Sequence, residues 1–425
     1  MNFPKGFSWG TATAAHQVEG GNSNSDCWLL EHVTPTPFAE PSGDACDQYH
    51  RYREDIAMLA QLGFNSYRFS IEWARVEPAP GEFSAAALEH YRRVLAACHE
   101  HRIAPMVTLH HFTSPRWIAA RGGWEAAPTA DLFARYCERV ARELGDLIAS
   151  ACTINELNSV QMLQTSGLIA PDEKIAGSRW RAAAARAAGV EPENFSAFPF
   201  CCRSICREVI LSAHRQGAQA LRAGRGKFPV GMTIAMEEIV AEPGGEALRD
   251  VALEAERPFL EAARADDFIG VQTYTRERFG ANGRLGPAPG AELTLMGYEF
   301  RPQSLVAAIR RAAAAAPGIP IIVTESGIAA TDDSRRVAFV QAALEGVLGC
   351  IRDGIEVRGY YYWSMLDNFE WIFGYRPTFG LIAVDRATQR RIVRPSAEYL
   401  GRIARANVLE AVGSAPDRNQ ALATN

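Results

Sequence analysis

Short apolar runs rich in β-branched and aromatic residues recur along the chain at 7–13, 64–70, 103–109, 149–154, 228–234, 267–272, 319–324 and 357–363, and each reads as a strand. Most are followed by a stretch in which apolar residues return every three or four positions, the helical period: 47–62, 84–101, 130–145, 201–223, 246–263, 303–316 and 333–353. Asp47 and Ser84 stand where N-caps belong, Gly63 lies just beyond the first helix, and Pro395 opens a last helix at a position where its missing N–H is no loss. Strands alternating with helices pair in parallel. Eight such units predict an α/β fold, a closed (β/α)8 TIM barrel forming a single domain over residues 1–410. Residues 411–425, small and polar, predict a flexible C-terminal tail. The units are unequal. The excess length lies in segments 16–46, 157–200, 273–300 and 364–394, long loops at the C-terminal face that are expected to carry specificity.

Composition narrows the class of protein. Of 425 residues, 48% are hydrophobic and 22% charged, enough to build a large core and too apolar for a disordered chain. Forty-four basic against 49 acidic residues give a formal charge of −5 with no long Lys/Arg run, so neither nucleic acid nor a membrane surface is the expected partner. No secretory leader pattern opens the chain and no 18-residue apolar stretch interrupts it, which predicts a cytoplasmic protein. Nine cysteines are too scattered for a disulfide framework. Cys201, Cys202 and Cys206 cluster, but in a helical pattern without zinc spacing, and are expected to be structural.

The uncommon polar and aromatic residues fall at C-terminal strand ends, where barrel enzymes hold their active sites. Gln17 follows strand 1, Arg68 ends strand 2, His110 and His111 follow strand 3, Asn155 and Glu156 follow strand 4, Tyr274 follows strand 6, Glu325 ends strand 7, and Trp363 to Trp371 follow strand 8. Glu156 and Glu325 each end an apolar strand. With strands about 4.8 Å apart and tilted about 36°, the chord between strands 4 and 7 is roughly 14 Å, and two inward Glu side chains leave a gap of about 6 Å. That lies between the separations typical of retaining and inverting glycosidases, so spacing alone points to a glycosidase-like pair and leaves the stereochemistry open.

At these residues the sequence resembles glycoside hydrolase family 1, the β-glucosidase family. The likeness runs from Phe7-Ser-Trp-Gly-Thr-Ala-Thr-Ala-Ala-His-Gln-Val-Glu-Gly20 through Tyr67-Arg-Phe-Ser-Ile-Glu-Trp73, Thr108-Leu-His-His111, Thr153-Ile-Asn-Glu156 and Thr324-Glu-Ser-Gly327 to Trp363-Ser-Met-Leu-Asp-Asn-Phe-Glu-Trp371. The resemblance implies a cofactor-independent retaining β-glycosidase, foremost a β-glucosidase, acting on terminal non-phosphorylated β-linked sugars. It makes Glu156 the general acid/base and Glu325 the nucleophile, with Arg68, Tyr274 and Asn155 in support. It further implies that Gln17, His111, Asn155 and Glu370 meet sugar hydroxyls, Asn155 near the 2-hydroxyl. Trp363, Trp371 and Phe379 then form an apolar wall, with Phe112 also at the substrate. A charged Glu370 beside the 6-position would repel a phosphate.

The chain departs from the family pattern at Leu157 (usually Pro), Ser326 (usually Asn), Phe112 (usually Trp) and Gln272-Thr273-Tyr274 (usually Asn-Tyr-Tyr), which leaves the choice among glucose, galactose and fucose open. Trp28, Phe112, Met162, Trp180 and Met296, on the long loops, either line an aglycone site or serve ordinary packing. The alanine-rich run 182–188 reads as a helix surface. Three other readings fit part of the pattern: a transglycosylase on the same residues, a non-catalytic carbohydrate-binding barrel, and a metal-dependent hydrolase using His110, His111 and Asp367. The sequence carries no indication of oligomeric state.

Overall fold

A computed structural model describes residues 2–165, 177–201 and 203–409. Eight parallel strands close into a barrel: β1 (Ser8–Ala12), β2 (Ser66–Ser70), β3 (Ala104–His110), β4 (Ser150–Ile154), β5 (Val230–Ala235), β6 (Ile269–Gln272), β7 (Ile321–Ser326) and β8 (Val357–Trp363). Each pairs with its sequence neighbours, and β8 pairs with β1 to complete the ring. The outer helices are α1 (Gln48–Leu62), α2 (Ala85–Glu100), α3 (Thr129–Leu144), α4 (Ile205–Ala223), α5 (Glu246–Ala262), α6 (Ser304–Ala315), α7 (Asp333–Arg352) and α8 (Pro395–Ala406).

Helix ends mostly follow the local chemistry. The Ser84 hydroxyl accepts the Ala87 N–H at 3.1 Å, and Gly63 takes the left-handed φ of 105° that ends α1. Asp47 does not cap as expected: its own backbone is left-handed, and its carboxylate meets the side chains of His50 and Arg51 instead. α4 begins at Ile205 rather than 201. Cys201 and Cys206 are buried, while Cys202 and the expected tail, 411–425, lie outside the described residues.

Alternation along the strands fills the barrel and delivers the polar residues to its mouth. Met106, Cys152, Phe268, Ile322 and Tyr361 form one interior cluster, with the Tyr361 hydroxyl 2.6 Å from Ser66 Oγ. Two residues further on lie Arg68 on β2, Gly270 then Gln272 on β6, and Trp363 on β8. Space is tight enough that a Cβ at Gly10 would collide with the Tyr361 ring. On β7 strict alternation from the inward Ile322 would turn Glu325 outward. A register shift between Val323 and Glu325 breaks the alternation and brings Glu325 inside opposite Gln272.

Several elements in the long loops were not foreseen. One is a small sheet of Glu238–Ala241, Arg276–Gly280 and Gly283–Leu285; another is a hairpin of Ile382–Asp385 with Arg390–Val393. The alanine-rich run forms the helix Arg179–Ala188, but it is not merely a surface: Ala184 and Ala185 pack with Leu29, Leu30, Phe195 and Phe369, because small side chains allow close approach. Among the described residues no helix is long and apolar enough to cross a membrane.

Candidate active site

The floor of the mouth is a chain of hydrogen bonds through groups from β2, β4, β5, β6 and β7. Arg68, fully buried, donates through Nη1 to Glu325 Oε1 and through Nη2 to Asn155 Oδ1, both at 2.6 Å. The second oxygen of Glu325 accepts the Tyr274 hydroxyl, also at 2.6 Å. Asn155 Oδ1 takes two further donors, Gln272 Nε2 at 2.9 Å and Thr233 Oγ1 at 3.3 Å. Thr233 also holds the turn that carries the second glutamate, accepting the Glu156 N–H on its hydroxyl at 2.9 Å and the Leu157 N–H on its carbonyl at 3.1 Å. A proline at 157 has no N–H to give, so the departure at Leu157 adds a tie between this turn and β5. Glu156 itself has a left-handed backbone, φ 43°, costly for a non-glycine residue and held by these bonds.

The two glutamates sit in different electrostatic company. Desolvation pushes both up from the ordinary carboxylate range. At Glu325 the Arg68 charge and the Tyr274 and Arg68 hydrogen bonds oppose that push. At Glu156 desolvation is reinforced by the negative charge of Glu325, and by Glu237 and Glu370 as they ionise, with only Arg68 opposing, and it rises well above its usual value. A single proton shared by this pair therefore resides on Glu156.

Gln17, His111, Phe112, Trp363, Glu370, Trp371 and Phe379 surround the floor. The His111 ring lies nearly parallel to Trp363 at 5.6 Å and to Trp371 at 6.3 Å. Phe112 meets Trp371 edge-on at 5.3 Å, and Phe379 meets Tyr274 edge-on at 5.8 Å. Phe112 and Trp371 have left-handed backbones, φ 68° and 52°, like Glu156. Burial and the Arg68 charge hold His111 well below the usual histidine range, so its ring is neutral. Gln17 spends its amide hydrogens on the 364–394 loop, donating to the Phe369 carbonyl at 2.7 Å and to Asn368 Oδ1 at 3.2 Å, so it shapes that loop as well as facing the site. Glu370 is pushed up to about 8, by desolvation and then by the Glu325 charge. It is thus largely protonated near neutral pH, contrary to the charged carboxylate expected from the sequence.

His110 and Asp367 are placed elsewhere. His110 turns away from His111, hydrogen-bonds Ser114 Oγ at 3.0 Å and packs among Trp124, Phe133 and Phe198. Asp367 is tied to Arg394 at 2.7 Å. Among the described residues no three His, Cys, Asp or Glu side chains are grouped as a metal site. Met296 packs on the wall formed by Trp363 and Phe379. Trp28 stacks on His32, and Trp180 packs on Phe200. Met162 lines a small cavity with Asn158 and Glu237.

Sequence reasoning missed Thr233 and Glu237, and noted Gln272 only as a departure from the family pattern. Thr233 and Gln272 are inward positions of β5 and β6. Glu237, two residues beyond β5 and pushed up to about 8 chiefly by desolvation, is an acid at a C-terminal strand end, and the same rule that found Glu156 could have found it.

With this geometry in view, the comparisons with known proteins are consistent. The sequence matches the family described as Glycosyl hydrolase family 1 over residues 1–266 and 281–409. It is 32% identical to thermostable beta-glucosidase B of Thermobispora bispora, over 96% of this chain and 92% of that one. It is 30% identical to a bifunctional beta-D-glucosidase/beta-D-fucosidase of Bifidobacterium breve, over 95% and 98%. The crystal structure of beta-glycosidase BGL167 superposes with a TM-score of 0.93 at 51% identity, covering 98% of this chain and all of that one. The chain belongs to glycosyl hydrolase family 1, a family of O-glycosyl hydrolases.

Proposed function

We propose that this protein is a retaining β-glycosidase, foremost a β-glucosidase, which hydrolyses terminal non-phosphorylated β-linked sugars by double displacement. The observation that carries the reading is the unequal treatment of two glutamates. Glu325 is bonded by Arg68 and Tyr274, while Glu156 lies within reach of the Glu325 charge.

In the first half-reaction Glu325, ionised, attacks the anomeric carbon and Glu156 protonates the departing oxygen. In the second, Glu156, now a carboxylate, takes a proton from water, which attacks the same carbon and frees Glu325. The Asn155 amide Nδ2, which has no partner among the described residues, is available to the 2-hydroxyl. Gln17 Oε1 and His111 Nδ1, likewise unpartnered there, suit other hydroxyls. The ring faces of Trp363 and Trp371 suit C–H groups. Glu370, mostly uncharged, can donate or accept at the 6-position. Selection against a 6-phosphate then rests on a carboxyl group standing where a phosphate needs a cation.

The names of the relatives support glucose and leave fucose open. We take residues 1–410 as one domain, supported by a continuous hydrophobic cluster from Phe3 to Leu409. A reducing cytoplasmic location suits the eight described cysteines, all buried.

The test is chemical rescue. Glu325→Ala loses turnover of an aryl β-glucoside, and added azide restores it with the α-glycosyl azide as product; a β-azide would overturn the assignment. Glu156→Ala loses about 10²–10⁴-fold on poorly activated leaving groups and much less on activated aryl ones.

A further inference from the structure

We propose that Gln272 is a positioning residue that, together with Arg68, holds the orientation of the Asn155 amide and thereby presents its NH2 group to the 2-hydroxyl of the glycone. The inference rests on the glycosidase reading above and adds a residue to it.

Arg68 has donors only, so the Asn155 atom that faces it at 2.6 Å must be the oxygen. That leaves Gln272 no choice either. Lying 2.9 Å from the same oxygen, it must offer its own NH2. The Thr233 hydroxyl, at 3.3 Å, completes a convergence of three donors on one carbonyl oxygen. With its oxygen so occupied, Asn155 turns its Nδ2 away from all three. This nitrogen is buried, in a residue 1% exposed, and has no partner among the described residues. A buried amide with its oxygen saturated and its nitrogen unspent is a donor prepared for an acceptor that arrives with the substrate. Gln272 is itself 1% exposed and ends β6 opposite Glu325, so its side chain is held from the same strand edge that seats the other half of the floor.

The contribution of Gln272 differs from that of Arg68. Arg68 also bonds Glu325, and its removal disturbs the nucleophile directly. Among the described residues the side chain of Gln272 is hydrogen-bonded to Asn155 and not to Glu325, so its loss is read in the discrimination for a 2-hydroxyl and not in the chemistry common to every glycoside. A hydrogen bond to the 2-hydroxyl strengthens as positive charge builds at the anomeric centre. The loss therefore falls on kcat more than on KM.

The experiment compares the 4-nitrophenyl β-glycoside of glucose with its 2-deoxy analogue in wild-type protein, Gln272→Met and Gln272→Glu. Met keeps the shape without the donor, and Glu presents oxygen to the Asn155 oxygen. The expected result is a fall of roughly tenfold in kcat on the glucoside with KM little changed, and less than about a twofold change on the 2-deoxy substrate. If one variant does not fold, as judged by circular dichroism, the other carries the test. An equal fall on both substrates, or no fall on either, would overturn the role of Gln272 while leaving the glycosidase reading intact. Wild-type protein that hydrolyses neither substrate would overturn that reading and this inference together.

Discussion

Replacing Arg68 by Met removes the largest influence opposing desolvation at Glu325, and the consequence has a definite sign. In the proposed mechanism Glu325 works only when ionised, so raising its pKa moves the acid limb of the pH–kcat/KM profile to higher pH, by about one unit or more. Glu237→Gln acts on the other limb. Glu237 titrates at about 8, so its negative charge develops as pH rises and helps Glu156 keep its proton. Without it Glu156 ionises sooner, and the alkaline limb moves to lower pH by up to about one unit. A profile in which either substitution moved the opposite limb would contradict this division between the two carboxyls. At this scale the sequence is informative where a residue type is unusual for its surroundings: a carboxylate or a guanidinium ending an apolar strand is conspicuous. Thr233 and Gln272 are not, because inward polar residues of β-strands are common and only their convergence on Asn155 gives them meaning.

At the scale of elements, the junction of β7 and β8 sets the positions of Glu325 and Trp363 together. A Cβ at Gly327 would collide with the Trp363 carbonyl. Gly327→Ala should therefore cost about 1–3 kcal/mol, read as a lower midpoint in thermal denaturation, and should lower kcat as well, since Glu325 is two residues away. Retained stability with full activity would show that the backbone relaxes there without consequence. The strands themselves were legible because their apolar runs are long and alternate with helices. The inward turn of Glu325 was not, since a register shift between Val323 and Glu325 is a property of pairing with β6 and leaves no mark in local composition. The small sheet around Arg276–Gly280 escaped for a related reason: its strands are short and partly charged, and they are stabilised by one another and not by an apolar pattern of their own.

At the scale of the whole molecule, the ring of eight strands separates duties. The floor is built from strand ends, whereas the outer mouth belongs to loops such as 364–394, which Gln17 anchors through Phe369 and Asn368. Because His110 and His111 turn apart and Asp367 is held by Arg394, turnover is expected to persist unchanged after prolonged dialysis against EDTA, measured as the initial rate on an aryl β-glucoside.

Arg68, fully buried with one hand on Glu325 and the other on Asn155, has a consequence for the electrical balance of the cycle. In the proposed mechanism the resting site holds one negative charge, on Glu325. Once the sugar ester forms and the leaving group departs with a proton, that charge has moved to Glu156. The total is the same in both states, and the fixed guanidinium balances it in each. The negative charge thus shuttles between two strands of the barrel and back, and no ion has to enter or leave the interior for the enzyme to turn over.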